Sequence, residues 1–428
     1  MEHIGEKIKR IRKEKKMTIA DLTSEHISAG MISLIENNKT KPSVERLQHI
    51  ANNLGVPIQD LLAKYSREEL RDKIEAFEEK IQTHDGEKIK EALEEMNELL
   101  PYLGDQYEAA KIHELIAHYT YYLFLFYADK YNRLSNHNWE KHANTAIQLY
   151  KNLQMEWRTL NMKAFLANAE VLKANYGKAI QIIDEAIEES YIDDNKESQA
   201  AFINLLYLKS GALDSLGERE KAHEVIDEAI AYMKTNLIMN RFFELHNMKA
   251  LFLYDEYEFE RAREVAKTAK KFVELTENQM LHIEMMYNHI HYNEFYEENI
   301  ERAYQLIEET KKLQSVLKKE GVPEDILENS TIFLKDARAR CLTREGKYEK
   351  AIPLFEQYEF IIQDHITMTP LDLSLRTISK SYLARCYFHL GQRDQARKLA
   401  KEVVHTLSRF SHTSYFMFAR EVLKEVSV

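Results

Sequence analysis

Ile4, Ile8 and Ile11 stand at helical spacing in "IGEKIKRIRKEKK", among Lys7, Lys9, Arg10, Arg12, Lys13, Lys15 and Lys16, so the chain opens with a helix bearing a basic face. Thr18, with Asp21 three residues on, caps a short second helix of about seven residues that turns Ile19 and Leu22 to one side. Ser28 caps a third, with Met31, Ile32 and Ile35 inward. A fourth starts at Ser43 and stops near Gly55, and a last short one follows Pro57. Five short helices, the second and third separated by a tight turn, predict a helix-turn-helix head over residues 1–65.

The pattern then changes period. "REELRDKIEAFEEKIQ" is already helical, with no Gly/Pro-rich linker before it, so the connection is expected to be a helix. Six later segments align on a turn followed by an Ala-centred helix, the Ala residues being Ala179, Ala222, Ala262, Ala303, Ala351 and Ala396, at spacings of 43, 40, 41, 48 and 45. Twelve positions before each stands Ala167, Ser210, Ala250, His291, Ala339 or Ala384, small in five of six cases. Small residues facing each other across a turn let two helices approach closely. These hairpins resemble tetratricopeptide (TPR) repeats with longer helices. Degenerate helical pairs at 66–100 and 105–153 should precede them, and "SYFMFAREVLKEV" should cap the end. The fold class is all-α: an N-terminal helix-turn-helix domain, residues 66–104 as linker helices or a degenerate first repeat, and 105–428 as a right-handed α-solenoid of TPR-like hairpins.

Composition narrows the function. With 11 Gly and 6 Pro among 428 residues and 30% charged, the chain is built of long helices. The net charge of −11 hides an asymmetry: residues 1–64 hold 11 Lys and Arg against 8 Asp and Glu, leaving 48 against 62 in the rest. A basic head on an acidic body is a footprint of nucleic-acid binding at one end. The N-terminus has no apolar signal region and "LIAHYTYYLFLFYA" is too short to span a bilayer, so a cytoplasmic protein with no membrane partner is expected. Cys341 and Cys386 recur at one position of consecutive repeats, as packing thiols would. There is no phosphate loop, HExxH, CxxC or nucleophile elbow. No enzyme, cofactor or metal site is expected.

In the head, "MT…DL…S…ISLIENNKTKPSVERLQHIANNLGVPIQDLL" resembles the Cro/C1-type (XRE) helix-turn-helix. That resemblance implies a double-stranded DNA operator as partner and a DNA-facing set of Thr18, Ser28, Ala29, Gly30, Met31, Ser33, Asn37, Asn38, Lys39 and Lys41. Such heads often carry Gln after the Thr cap, where it braces a phosphate; here the residue is Ile19. Ala29-Gly30-Met31 offers no bidentate donor to a base edge, so base readout by this helix should be thin.

In the body, positions 18, 15 and 11 before each Ala share one face of the first helix of each hairpin and should line the concave side. Of those eighteen positions five are Asn: Asn161, Asn168, Asn204, Asn247 and Asn288, where 23 Asn in the chain would give about one by chance. Tyr207, Tyr292, Asp336, Arg340 and Arg385 occupy others. An Asn amide carries a donor beside an acceptor and can pair with an extended peptide backbone, and the Arg residues could hold a carboxylate. The alternative is a solvated helix face.

A Cro/C1-type head joined to a long TPR-like body resembles the RRNPP family of peptide-pheromone receptors, most closely its neutral-protease-regulator and PlcR-like members. The resemblance implies a transcription regulator that binds a short imported signalling peptide and works as a homo-oligomer, a dimer or tetramer. The alternative within the family is a Rap-type protein that binds a response regulator through a Gln, for which Gln106 is the nearest position. A further alternative is a TPR scaffold with no affinity for short peptides.

Overall fold

A computed structural model of the chain describes residues 3–25, 27–62, 65, 67–83, 85–127, 130, 138–190, 192, 194–322, 324–356 and 370–428. Among these, regular structure is helical apart from one antiparallel bridge between Ser24 and Ile27. The chain divides into two compact units, Met1–Met162 and Lys163–Val428.

The first unit begins with α1 (Ile4–Glu14), a 3-10 turn (Ala20–Leu22), α2 (Ala29–Glu36), α3 (Val44–Leu54) and α4 (Ile58–Leu62). Ile8, Leu22, Ile32, Ile35, Leu47, Ile50 and Leu61 bury one core among them. The sequence predicts an α-helix at the second position, but only a single 3-10 turn forms. Thr18 and Asp21 do make the reciprocal cap, Thr18 N–H donating to Asp21 Oδ2 at 2.6 Å. The backbone then turns extended at Thr23, and Ser24 and Ile27 close a tight turn on each other, which ends the helix early. At Gly5 the helices α1 and α2 nearly touch: a Cβ there would stand 1.8 Å from the Ile35 carbonyl oxygen.

The basic face of α1 is also narrower than its sequence suggests. Lys7 and Arg12 are buried, and Arg12 grips the buried carboxylate of Glu36 with Nε at 2.6 Å and Nη2 at 2.8 Å. Lys15 caps α3 by donating to Leu54 O at 2.6 Å. Residues 63, 64 and 66, where the connecting helix is expected, lie outside the described residues. Then follow α5 (Arg67–Gln82), α6 (Gly86–Leu99), α7 (Tyr107–Phe126) and α8 (Trp139–Asn152), the first three packed around Ile74, Phe77, Ile89, Met96 and Ile112.

Helix α9 (Glu156–Leu172) leads into the second unit, a series of hairpins with α10 (Tyr176–Glu189), α11 (Lys196–Ser215), α12 (Arg219–Asn236), α13 (Phe242–Asp255), α14 (Phe259–Glu274), α15 (Gln279–His291), α16 (Ile300–Lys319), α17 (Glu324–Arg344), α18 (Tyr348–Glu356), α19 (Pro370–His389) and α20 (Arg393–Leu407). Helix α21 (Ser414–Val426) ends the chain. All six hairpin Ala residues are fully buried, as are Ala167, Ser210, Ala250, Ala339 and Ala384 opposite them. Ser210 adds a hydrogen bond from its hydroxyl to Ala222 O at 2.9 Å. His291, the one large residue in this set, is buried too, and the helix widens directly after it into a π turn, Tyr292–Tyr296.

Each hairpin turn places a residue in the left-handed region five positions before its Ala: Ala174, Gly217, Tyr257, Glu298, Gly346 and Gly391. Only Gly adopts that conformation without steric cost, so three of the six turns are strained. Ala174→Gly is therefore expected to stabilise the protein by about 0.5–1 kcal/mol, the relief of strain outweighing the added freedom of the unfolded chain. Reversible denaturant unfolding measures it; a midpoint lowered by the substitution would show that the turn carries no such strain.

Candidate functional site

The first helices of four successive hairpins, with the start of α21, line a cavity of about 340 Å³. Helix α11 contributes Tyr207, Gly211 and Asp214; α13 contributes Glu244, Asn247, Met248, Leu251, Phe252 and Asp255; α15 contributes Glu284, Tyr287, Asn288 and His291; α17 contributes Phe333. Apolar and aromatic side chains line it beside several polar and charged ones, the usual make-up of a pocket that orients a small ligand.

The charges around it are organised rather than diffuse. Arg219 lies between Asp214, at 2.7 Å, and Asp255, at 3.0 Å. Arg241 pairs with Glu244 at 3.0 Å, donates to Asn204 Oδ1 at 3.1 Å and lies over the Tyr207 ring. Surrounding protein and the neighbouring Glu244 both raise the pKa of Glu284, which lines the cavity. His291 is buried, and that burial holds it neutral, its pKa well below the ordinary value; its Nε2 meets the Tyr415 hydroxyl at 2.8 Å.

Three residues singled out in the sequence meet in this cavity: Tyr207, Asn247 and Asn288, on consecutive hairpins. The Asn288 amide nitrogen is buried with no hydrogen-bond partner. Asn247 accepts a hydrogen bond from the Tyr292 hydroxyl, which fixes the orientation of its amide. Tyr292 itself is buried and stacked on Tyr254 with ring centroids 4.6 Å apart, so it braces Asn247 rather than facing the groove. Asn204 is held by Arg241, and neither Asn161 nor Asn168 reaches the cavity.

The charged positions expected to hold a carboxylate are engaged elsewhere. Arg340, 1% exposed, pairs with Glu294 at 3.1 Å and Asp336 at 3.3 Å, and Arg344 reaches Glu294 at 2.9 Å. Tyr382 donates to Glu294 at 2.6 Å and Ser379 to Asp336 at 2.8 Å. Burial pushes the Asp336 carboxyl up to about 6. Arg385 pairs with Glu425 at 2.7 Å and lies over Phe418. Asp336 and Arg340, expected on the concave face, are buried instead, and Arg340 is paired with the π-turn residue Glu294. Both cysteines are buried, and burial pushes the Cys341 thiol up to about 12, which keeps it inert.

Thr413 and Tyr415 line the cavity with no sequence signal at all, since they lie outside the repeats. Asp214, Asp255 and Glu284 also escape the three counted positions. Gln106 is the N-cap of α7 and is partly buried. Among the described residues no group of three or more His, Cys, Asp or Glu could hold a metal ion, and no helix is long and apolar enough to cross a membrane.

In the head, Ser28 caps α2 by accepting from Met31 N–H, and Ser28, Ala29, Gly30, Asn37, Asn38, Lys39 and Lys41 are exposed. Met31 and Ser33 are half-buried, and Thr18 is exposed although its hydroxyl is bonded to Asp21 at 2.8 Å. Asn37 donates to Ser33 O at 2.8 Å and receives Lys9 at 3.4 Å. Leu34, 43% exposed on the outer face of α2, was not among the residues expected there.

Residues 5–67 match the family model of a helix-turn-helix domain. No curated protein matches the chain. Among solved structures the chain is similar to Bacillus thuringiensis PlcR in complex with the peptide PapR7 and DNA, at 20% identity over 66% of this chain and 97% of that one, with a TM-score of 0.35. It is similar to a Rap protein complexed with competence and sporulation factor, at 14% identity over 84% and 98%, with a TM-score of 0.45. A third is the competence regulator ComR from Streptococcus vestibularis in complex with its signalling peptide XIP, at 18% identity over 66% and 95%, with a TM-score of 0.37.

The buried ion cluster permits a direct check of its role. Glu294→Gln would leave Arg340 and Arg344 short of countercharge in a dry interior and is expected to cost about 3–5 kcal/mol. Glu402→Gln, which removes only the exposed pair with Lys380, should change stability by less than about 1 kcal/mol. Urea unfolding compares the two; equal effects would mean that the cluster is solvated.

Proposed function

We propose that this chain is a cytoplasmic transcription regulator of the peptide-pheromone-receptor type. Its helix-turn-helix head binds double-stranded DNA, and its repeat unit takes a short signalling peptide in the cavity lined by Tyr207, Asn247 and Asn288. The observation that carries the reading is that these three side chains, from three consecutive hairpins, share one cavity in a chain whose other end is a helix-turn-helix domain. Amides repeated along a groove match the spaced polar groups of an extended backbone, while Phe333, Leu251 and Met248 give apolar side chains a surface. The peptide acts by setting the assembly of a dimer or tetramer and hence the spacing of the heads. Length and repeat number favour the neutral-protease-regulator subgroup. No observation at Gln106 favours the response-regulator reading.

Two measurements test the halves separately. Lys39→Ala with Lys41→Ala should weaken binding to every duplex about equally and lower the salt slope by about one to two, since each Lys meets a phosphate. Fluorescence anisotropy at two or more salt concentrations reads it, and an unchanged slope removes these lysines from the interface. Asn247→Ala and Asn288→Ala should each weaken capture of the best binder from a pool of short synthetic peptides by roughly 5- to 150-fold. Wild-type affinity in both would refute the amide row and favour a scaffold. Asn288→Ala should leave the thermal midpoint near wild type, because no protein group relies on its amide nitrogen.

A further inference from the structure

The cavity has a wall that no repeat supplies. Thr413 caps α21 and Tyr415 is its second residue, and this end of the helix packs against residues far earlier in the chain. The Ser414 N–H donates to Asp255 Oδ1 at 2.9 Å, and the Ser414 hydroxyl donates to the same oxygen. Asp255 is held in turn by Arg219. The Tyr415 hydroxyl meets His291, and its ring stacks on Phe295 with centroids 4.9 Å apart. Phe410, fully buried, lies against Tyr176.

A terminal helix needs none of this to cap a repeat array. The capping role falls to the other end of α21, where Val422 and Val426 cover Ala384, Ala396 and Ala400 of the last hairpin. The first turn of α21 instead spends its N–H and hydroxyl on a carboxylate 159 positions earlier in the chain. Its aromatic ring closes a cavity opened by α11, α13 and α15.

We propose that residues 408–415 are part of the ligand site itself, with Asp255 and Ser414 as positioning residues that hold Tyr415 against the occupant. This rests on reading the cavity as the peptide site. A ligand that touches Asn247 and Tyr415 together bridges an early hairpin and the chain's last turn. Ligand binding and docking of the turn then strengthen each other by the same factor. The C-terminal turn is the element through which an occupied groove is felt at the far end of the unit.

Ser414→Pro tests this with little collateral change. Ser414 is the first residue of α21, where proline is favoured, and Thr413 at φ −90° and ψ 150° already has the conformation that precedes proline. The substitution deletes both donors to Asp255 and keeps the Thr413 cap on Phe416 N–H. The full-length chain is incubated with a pool of short synthetic peptides, the tightest retained peptide is identified by mass spectrometry, and its affinity for each variant is measured by calorimetry. Amide exchange of residues 408–426 is followed with and without that peptide. The expected result is slower exchange of 408–415 on peptide binding to wild type, and roughly tenfold weaker binding by Ser414→Pro. Wild-type affinity in a variant whose turn exchanges faster, or no change in exchange on binding, would overturn the proposal. If no peptide is retained by wild type, the peptide-site reading itself fails, and this inference with it. Should Ser414→Pro melt early, Tyr415→Phe, which removes the hydroxyl that meets His291 and Tyr296 and keeps the ring, decides on the same two readouts.

Discussion

The second unit depends on one contact, made in five of its six Ala-centred hairpins: a buried Ala on the second helix facing a small residue on the first. With little or nothing beyond Cβ, the helix axes come close enough for the turn to be three residues long. That short turn is what forces one residue into the left-handed region, five positions before each Ala. Spacing, turn strain and hairpin geometry are thus one constraint seen three ways. The fourth hairpin shows what happens when it is relaxed. His291 replaces the small residue, and the helix widens into the π turn that carries Glu294.

That widening has consequences well beyond its own hairpin. It brings the Glu294 carboxylate to Arg340, Arg344 and Tyr382, so a buried charged cluster ties the fourth hairpin to the two after it. Such a cluster adds little net stability over an apolar core, but it tolerates few alternative packings, because any shift strands a charge. His291 itself stands between this cluster and the cavity, within 3.4 Å of Arg340 on one side and hydrogen-bonded to Tyr415 on the other. The cavity and the charged cluster meet at that imidazole.

Sequence periodicity reads this architecture well and the groove less so, for a physical reason. Helix spacing and the burial of small residues are local, and they place the hairpins and the head core from Ile8 to Leu61 directly. Which face of a helix turns inward is also local, and it brings Tyr207, Asn247 and Asn288 to the cavity. Whether an inward face stays open is not local. Asp336 and Arg340 are buried, Arg340 being paired with Glu294, 46 positions earlier in the chain. Tyr415 has no register and lines the cavity because Asp255 captures the turn beside it. The second head helix fails for a similar reason: the Thr18–Asp21 cap forms as its residues require, but the Ser24–Ile27 turn cuts the helix short.

The head shows how strongly packing limits what a recognition helix can offer. Gly5 brings α1 onto the C-terminal end of α2 at backbone contact, and Ile32, Ile35 and Glu36 are consumed by the core and by Arg12. What remains outward is Ser28, Ala29, Gly30, Leu34 and Asn37, and the Asn37 amide is already tied to Ser33 and Lys9. Small residues and a leucine can sense a groove's shape and thymine methyl groups, but they lack the bidentate pairs worth about 1–3 kcal/mol each in base discrimination. Under the proposed function, one head alone would therefore discriminate weakly among duplexes. Selectivity would have to come from the separation of two heads, a quantity fixed by assembly rather than by α2. A ligand that changes assembly would then control DNA recognition without touching the recognition helix.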